Sequence, residues 1–416
     1  MRGTFNEGAT VLAVAFFLML GSLNAQNSFP AYDRYLLLCK TADSLYYAKD
    51  YMQAAKTYSL AARSQVEKAI QIVRSESWYQ TACCYALASQ TDSAFFHLQS
   101  LVQQSRFSDS LRLVQDQDLL SLHSDARWHS LLQQSADNAI CKVAEEKRIA
   151  LRIRPERDYA RPVFYPLTSF AAQFIEQDSL PFLSLNHGNF RLYFSASSYA
   201  FENINKATAM LDDALQRALE ITGESSYQRG IHALLFNSAD ELKALTGIRA
   251  QGGIAFPDDD LACFPFHQNR RPQIRHEIFH VISIRQWGRC NSRLLIEGSA
   301  VYADHQCLVE RPIESVNAWL MKEKKLFSLR ELIFNFDQLA RENDVIAYLQ
   351  SAGIFMHLFQ KYGREKMKQL WTRGFSDFDN IYGFSIDELE QEWLKTIANI
   401  PVPQIDGKKL LEEGCG

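Results

Sequence analysis

His276-Glu277-Ile278-Phe279-His280 is the stretch that most narrows what this 416-residue chain can fold into. On an α-helix, residues four apart stack one above the other, only about 40° apart round the axis. The two imidazoles can therefore share one target if the segment is helical, and a metal ion is the target that suits them. Glu277 lies on the flank of that face, placed to take a proton from water at the ion without being a ligand. Five residues make a short pattern, so the flanking sequence decides its meaning.

Downstream, Leu294-Leu295-Ile296-Glu297-Gly298-Ser299-Ala300-Val301-Tyr302 is an apolar run, a carboxylate, then small residues and a tyrosine at helical spacing. A catalytic zinc centre takes three protein ligands and keeps one position open. Glu297 offers a third ligand from a second helix, and the small Gly298 and Ala300 let two helix backbones approach closely. Trp287, Gly288, Arg289, Asn291 and Ser292 read as the turn between the helices. On these residues the chain resembles the gluzincin metallopeptidases, specifically the peptidase MA-like group, which carry HExxH and then a segment of the form (W/L)-x-x-EG-x-A-x-Y. Residues 348–355, running on to Lys361-Tyr362-Gly363, are similar to that family's later helix and its Tyr-Gly stop. Residues 388–397, with Trp393, are similar to its closing helix, and residues 189–194 and 200–219 to its opening strand and long helix. The resemblance covers roughly residues 184–397, about half the chain. The sixteen-residue spacer between His280 and Glu297 is shorter than in the best-known gluzincins, a difference that falls in a loop.

The resemblance implies a zinc ion held by His276, His280 and Glu297, and hydrolysis of a peptide or protein substrate by zinc-bound water with Glu277 as general base. A phenol aimed at the oxyanion completes such sites, and Tyr348 holds the family position for it; a core tyrosine is the alternative. Tyr302 reads as packing beside Glu297, and His267 and His305 as surface or structural residues. Two other functions stay open. One is a catalytically silent scaffold that acts through its helical repeats, against which an intact Glu277 argues. The other is hydrolysis of cell-wall peptide amides.

The rest of the chain is read from pattern. Its length predicts two to three domains. A net charge of −4 without a long basic run gives no sign of a nucleic-acid partner. Residues 1–25 read as a signal peptide: Arg2, an uncharged apolar run from Val11 to Leu20, and Ala25 before Gln26. The run falls short of the about 20 residues a membrane span needs. Export to the periplasm, cell envelope or medium is expected, with no span left after cleavage; an uncleaved anchor is the alternative. Cys83 and Cys84 read as small buried hydrophobes. Cys290 and Cys307 flank the Glu297 segment and could staple it in an oxidising compartment. No CxxC spacing occurs, which disfavours a cysteine zinc site.

Residues 26–140 read as tetratricopeptide-like helical hairpins. Leu45, a turn at Lys49-Asp50-Tyr51, then Ala54, Tyr58 and Ala61 are repeated forty residues later by Trp78, Ala82 and Tyr85, a turn at Gln90-Thr91-Asp92, then Ala94, Leu98 and Leu101. Residues 111–132 read as a capping helical unit. Such a stack either offers a groove to a protein partner or merely positions the next domain. Residues 141–180 read as a basic, proline-containing linker, centred on 141–166, with a phosphate- or envelope-polymer-binding patch as the alternative. Residues 181–398 read as the zincin-type metallopeptidase domain and 399–416 as a tail. In that domain, residues 190–194 and 231–236 read as strands around a long helix. Residues 238–245 read as a helix capped by Ser238, and 251–266 as a hairpin at the sheet edge, where Gly252 and Gly253 either admit a substrate backbone or only turn the chain. The expected fold is α+β: helical hairpin repeats, then a small mixed sheet followed by helices.

Overall fold

The computed structural model describes residues 30–63, 71–150, 162–167, 182–196, 198–248, 250–268, 272–304, 312–408 and 410. The expected signal segment, and with it His305 and Cys307, lies outside these residues. No helix among them is long and apolar enough to cross a membrane. Contacts divide the chain into two units, Met1–Ser100 with Asp116–Asp125, and Leu101–Gln115 with Ala126–Gly416.

The first unit is built from helical hairpins: α1 (Pro30–Tyr47) with α2 (Tyr51–Arg63), and α3 (Gln71–Leu87) with the start of α4 (Thr91–Gln104). The forty-residue offset holds at the level of single hydrogen bonds. Lys49 and Ser89 both turn the chain with positive φ, at 64° and 58°. Asp50 N–H donates to Leu45 O as Gln90 N–H does to Tyr85 O, and Ala54 N–H to Asp50 O as Ala94 N–H does to Gln90 O. Buried alanines at 42, 54, 82 and 94 let the paired helices pack closely. Tyr46 and Tyr79 hydroxyls donate to Asp118 Oδ2 (2.8 Å) and Asp116 Oδ2 (2.5 Å), tying the hairpins to a 3₁₀ turn at Gln117–Leu122. The expected capping unit at 111–132 is therefore made of helix Ser110–Gln115, this turn and the start of the helix from Ala126.

The second unit begins with the end of α4, α5 (Ser110–Gln115) and α6 (Ala126–Ala150). Here the expected linker needs correction: Cys141 to Ala150 are helical. The prolines of that stretch, Pro155, Pro162 and Pro166, all come after the helix, so none interrupts it. Ile149 is 1% exposed in the same core as Leu183, and Glu146 Oε1 accepts the Ser184 N–H at 2.8 Å. Further on, Val163 pairs with Arg229 as an isolated bridge.

Five strands form one mixed sheet: β1 (Phe182–His187), β2 (Phe190–Ser195), β3 (Ile231–Phe236), β4 (Ile254–Phe256) and β5 (Leu261–Pro265), in the order β1-β2-β3-β5-β4. β2, β3 and β5 run parallel; β1 and β4 are antiparallel to their neighbours. α7 (Ile204–Thr222) links β2 to β3, and α8 (Ala239–Thr246) follows β3, capped by Ser238 Oγ on the Glu241 N–H. Asp260, 3% exposed between β4 and β5, accepts from Arg229, Arg285 and the Tyr227 hydroxyl. The edge hairpin is thereby locked to the helix that follows.

That helix is α9 (Ile274–Trp287), succeeded by α10 (Arg293–Asp304), α11 (Ile313–Lys322), the long α12 (Phe336–Arg373) and α13 (Ile386–Ala398). α12 is interrupted at Asn343, whose Oδ1 caps the Ile346 N–H, and at Gly363, where φ is 83°. The second break is the Tyr-Gly stop expected at 362–363. The sequence pattern begins the sheet at residue 190; the structure adds β1 before it.

Candidate metal centre

α9 starts after Gln273, and its first turns carry the HExxH stretch against the sheet. His276 and Glu277 are 6% and 5% exposed, and the His280 side chain is 12% exposed. The two imidazoles lie 4.7 Å apart at 81°, one turn above the other, as helical spacing dictates. α10 brings Glu297 to face them, with Oε2 3.4 Å from His276 Nε2 and 3.5 Å from His280 Nε2. These separations exceed the 2.7–2.9 Å of a charge-assisted hydrogen bond. They match a tetrahedral centre, in which donors each about 2.1 Å from the ion stand about 3.4 Å apart. All three donor atoms fall within 4.8 Å of one another, so the set fits a metal ion.

The close approach of α10 depends on Gly298. A Cβ there would come within 2.5 Å of the Ser351 carbonyl oxygen on α12, so only glycine allows this contact. Ala300 is fully buried, and the Tyr302 ring packs on Phe355 and Phe359. The EGxAxY run thus seats α10 by small residues and anchors it by an aromatic one. Burial alone would raise the Glu297 carboxyl, but the facing His280 and His276 imidazoles hold it well below the usual carboxylate range.

Glu277 stands outside the donor set, beside the edge strand, and accepts the Ala255 backbone N–H. Burial pushes its carboxyl up to about 7; His276 opposes the rise, and the Glu297 and Asp304 charges assist it. Gly253, at φ 151°, leaves the space Glu277 occupies: a Cβ would lie 2.8 Å from Glu277 Cγ. The Tyr348 ring stands 6.4 Å from the His276 ring at 22° and packs on Phe336 at 5.5 Å. An open cleft of about 970 Å³ joins these parts, from Gly252–Ala255 on one side, past Glu277 and the histidines, to Tyr348 on the other.

His267 is half-buried just after β5 and does not line the cleft. Three residues at or near the site were not singled out from sequence. Arg293 sits one helical turn before Glu297 and pairs with it at 2.9 Å, a spacing visible in the sequence. Asp304 is 5% exposed two turns after Glu297, and Asp344 lines the cleft near Tyr348. Neither had a local signal beyond its charge.

The edge strand of the small mixed sheet thus runs beside a histidine-bearing helix, and the next helix supplies a carboxylate. The family model of the Peptidase MA superfamily matches residues 210–399, from within α7 to just past α13. The match supports a peptidase domain of a superfamily that is typically metal-dependent. Neither the curated proteins nor the solved structures gave a match.

Proposed function

We propose that this chain is an exported zinc metallopeptidase in which His276, His280 and Glu297 hold the ion. The observation that carries the reading is the donor spacing of 3.4 and 3.5 Å with a buried carboxylate, Glu277, beside it and not within it. Zinc bound there supplies a Lewis acid for the scissile carbonyl and acidifies water. Glu277 takes the proton of the attacking water and passes it to the leaving amine. Its hydrogen bond to the Ala255 N–H fixes the carboxylate beside the edge strand. The Tyr348 hydroxyl donates to the oxyanion as negative charge develops there. Among the described residues β4 pairs only with β5, and its other edge, where Glu277 accepts the Ala255 N–H, borders the cleft that would receive an extended peptide. Export rests on the N-terminal apolar run of residues 11–20.

Glu277→Gln tests the reading because it keeps size and shape while removing the basic oxygen. The variant should fold, bind zinc in the wild-type ratio and lose roughly 10²-fold or more of its turnover on a peptide library. Retention of wild-type turnover would refute the mechanism, and loss of zinc would make Glu277 a ligand.

A further inference from the structure

Arg293 opens α10 and has no part in the chemistry above. Its Nη1 lies 2.9 Å from Glu297 Oε1, whereas Oε2 is the oxygen that faces both histidine nitrogens. The two oxygens of one buried carboxylate are therefore committed to different partners. Arg293 Nε also donates to Asp337 Oδ1 at 3.3 Å, in the first turn of α12. Among the described residues lining the cleft it is the only arginine or lysine. A guanidinium is planar and presents its donors in a fixed fork, so a pair of carboxylates set on one fork constrains both.

A carboxylate can give a metal one oxygen or two, and zinc accepts both four and five ligands. With Oε1 held by Arg293, only Oε2 is offered. We propose that Arg293 is a positioning residue that makes Glu297 a one-oxygen ligand and so keeps the fourth place at the centre free for water and substrate. This rests on the reading of His276, His280 and Glu297 as metal ligands. Asp337 steadies the guanidinium from the far side.

Cobalt(II) loaded into the metal-stripped full-length chain tests it, because four-coordinate cobalt absorbs visible light more strongly than five-coordinate cobalt. Arg293→Met keeps much of the stem and removes the donors; it should still bind one cobalt per chain, with a clear loss of absorption per ion. Arg293→Lys should recover part of the intensity, since an ammonium can still pair with Oε1. Asp337→Asn, which touches no ligand, should give a smaller drop and serves if the Met variant fails to fold. A spectrum superimposable on wild type in the folded Met variant, or in both Arg293→Lys and Asp337→Asn if Met does not fold, would overturn the positioning role alone. A wild-type chain that takes up no cobalt, or retains it after His276→Ala and His280→Ala, would overturn the ligand reading and this inference with it.

Discussion

Glu297 and Glu241 are both buried, at 5% and 4% exposure, yet their carboxyls shift in opposite directions. Glu297 faces two imidazoles and an arginine, which favour its charged form. Among the described residues no cation shifts Glu241; burial pushes it up from the usual 4.5 to about 8, and the Asn237 N–H that donates to its Oε2 opposes the rise. Two predictions follow from the contrast. Glu297→Ala should remove one of the three proposed ligands and leave purified protein with little metal, checked by elemental analysis against a folded far-UV spectrum. For Glu241 the sign comes from proton counting. Between pH 4.5 and 8 the folded chain holds a proton that the unfolded chain has released, so stability falls as pH rises through that window. Glu241→Gln keeps an acceptor for the Asn237 N–H and cannot ionise. Its melting temperature should exceed that of wild type by more at about pH 8.5 than at about pH 5. A difference that stays flat with pH would show that Glu241 does not titrate in this window.

Helix contacts set the centre as firmly as the ligands do. α10 reaches α12 through Gly298, so Gly298→Ala must push one of the two helices away from the Ser351 carbonyl. Overpacking of this kind costs about 1–3 kcal/mol, and because Glu297 is the preceding residue, zinc affinity should fall together with the melting temperature. Unchanged zinc affinity in a destabilised variant would show that the ligand does not depend on this contact. Features of the same local kind are legible in the sequence: HExxH in helical spacing, the Ser238 cap in capping chemistry, and the β3 bounds in an apolar run between turn residues, whereas EGxAxY and the break at Gly363 come from the family resemblance. Two elements are not legible there. β1 is as long as β2 and β3, but Ser184, Asn186 and His187 leave it without their mostly apolar run. The end of α6 was read as a linker from its charge. Lys147 and Arg148 are exposed there, while Ile149 is buried, so the charges belong to a solvated helix face. The Arg293–Asp337 and Asp260–Arg285 pairs join separate elements, and no local pattern announces such meetings.

At the scale of the whole chain, the contact division does not fall at a single peptide bond: residues 116–125 belong with the N-terminal hairpins, and 101–115 belong with the unit that carries the cleft. The offset of forty residues, by contrast, was visible early because each hairpin repeats the same turn chemistry at the same place. A boundary drawn by composition near residue 141 would cut α6 in two, and one drawn at 151 would remove it altogether. α6 contributes the buried Ile149 to the core around the sheet and a carboxylate that accepts the Ser184 N–H of β1. Removing a buried isoleucine alone forfeits about 1.5–3 kcal/mol of burial, and the β1 amide loses its acceptor as well. A fragment of residues 126–416 should therefore fold, bind zinc and unfold at a distinctly higher temperature than a fragment of residues 151–416. Both contain every proposed ligand, so a comparison of their melting curves in the presence of zinc isolates the helix. Equal stability of the two would mean that α6 belongs functionally with the hairpins and that composition had marked the better boundary.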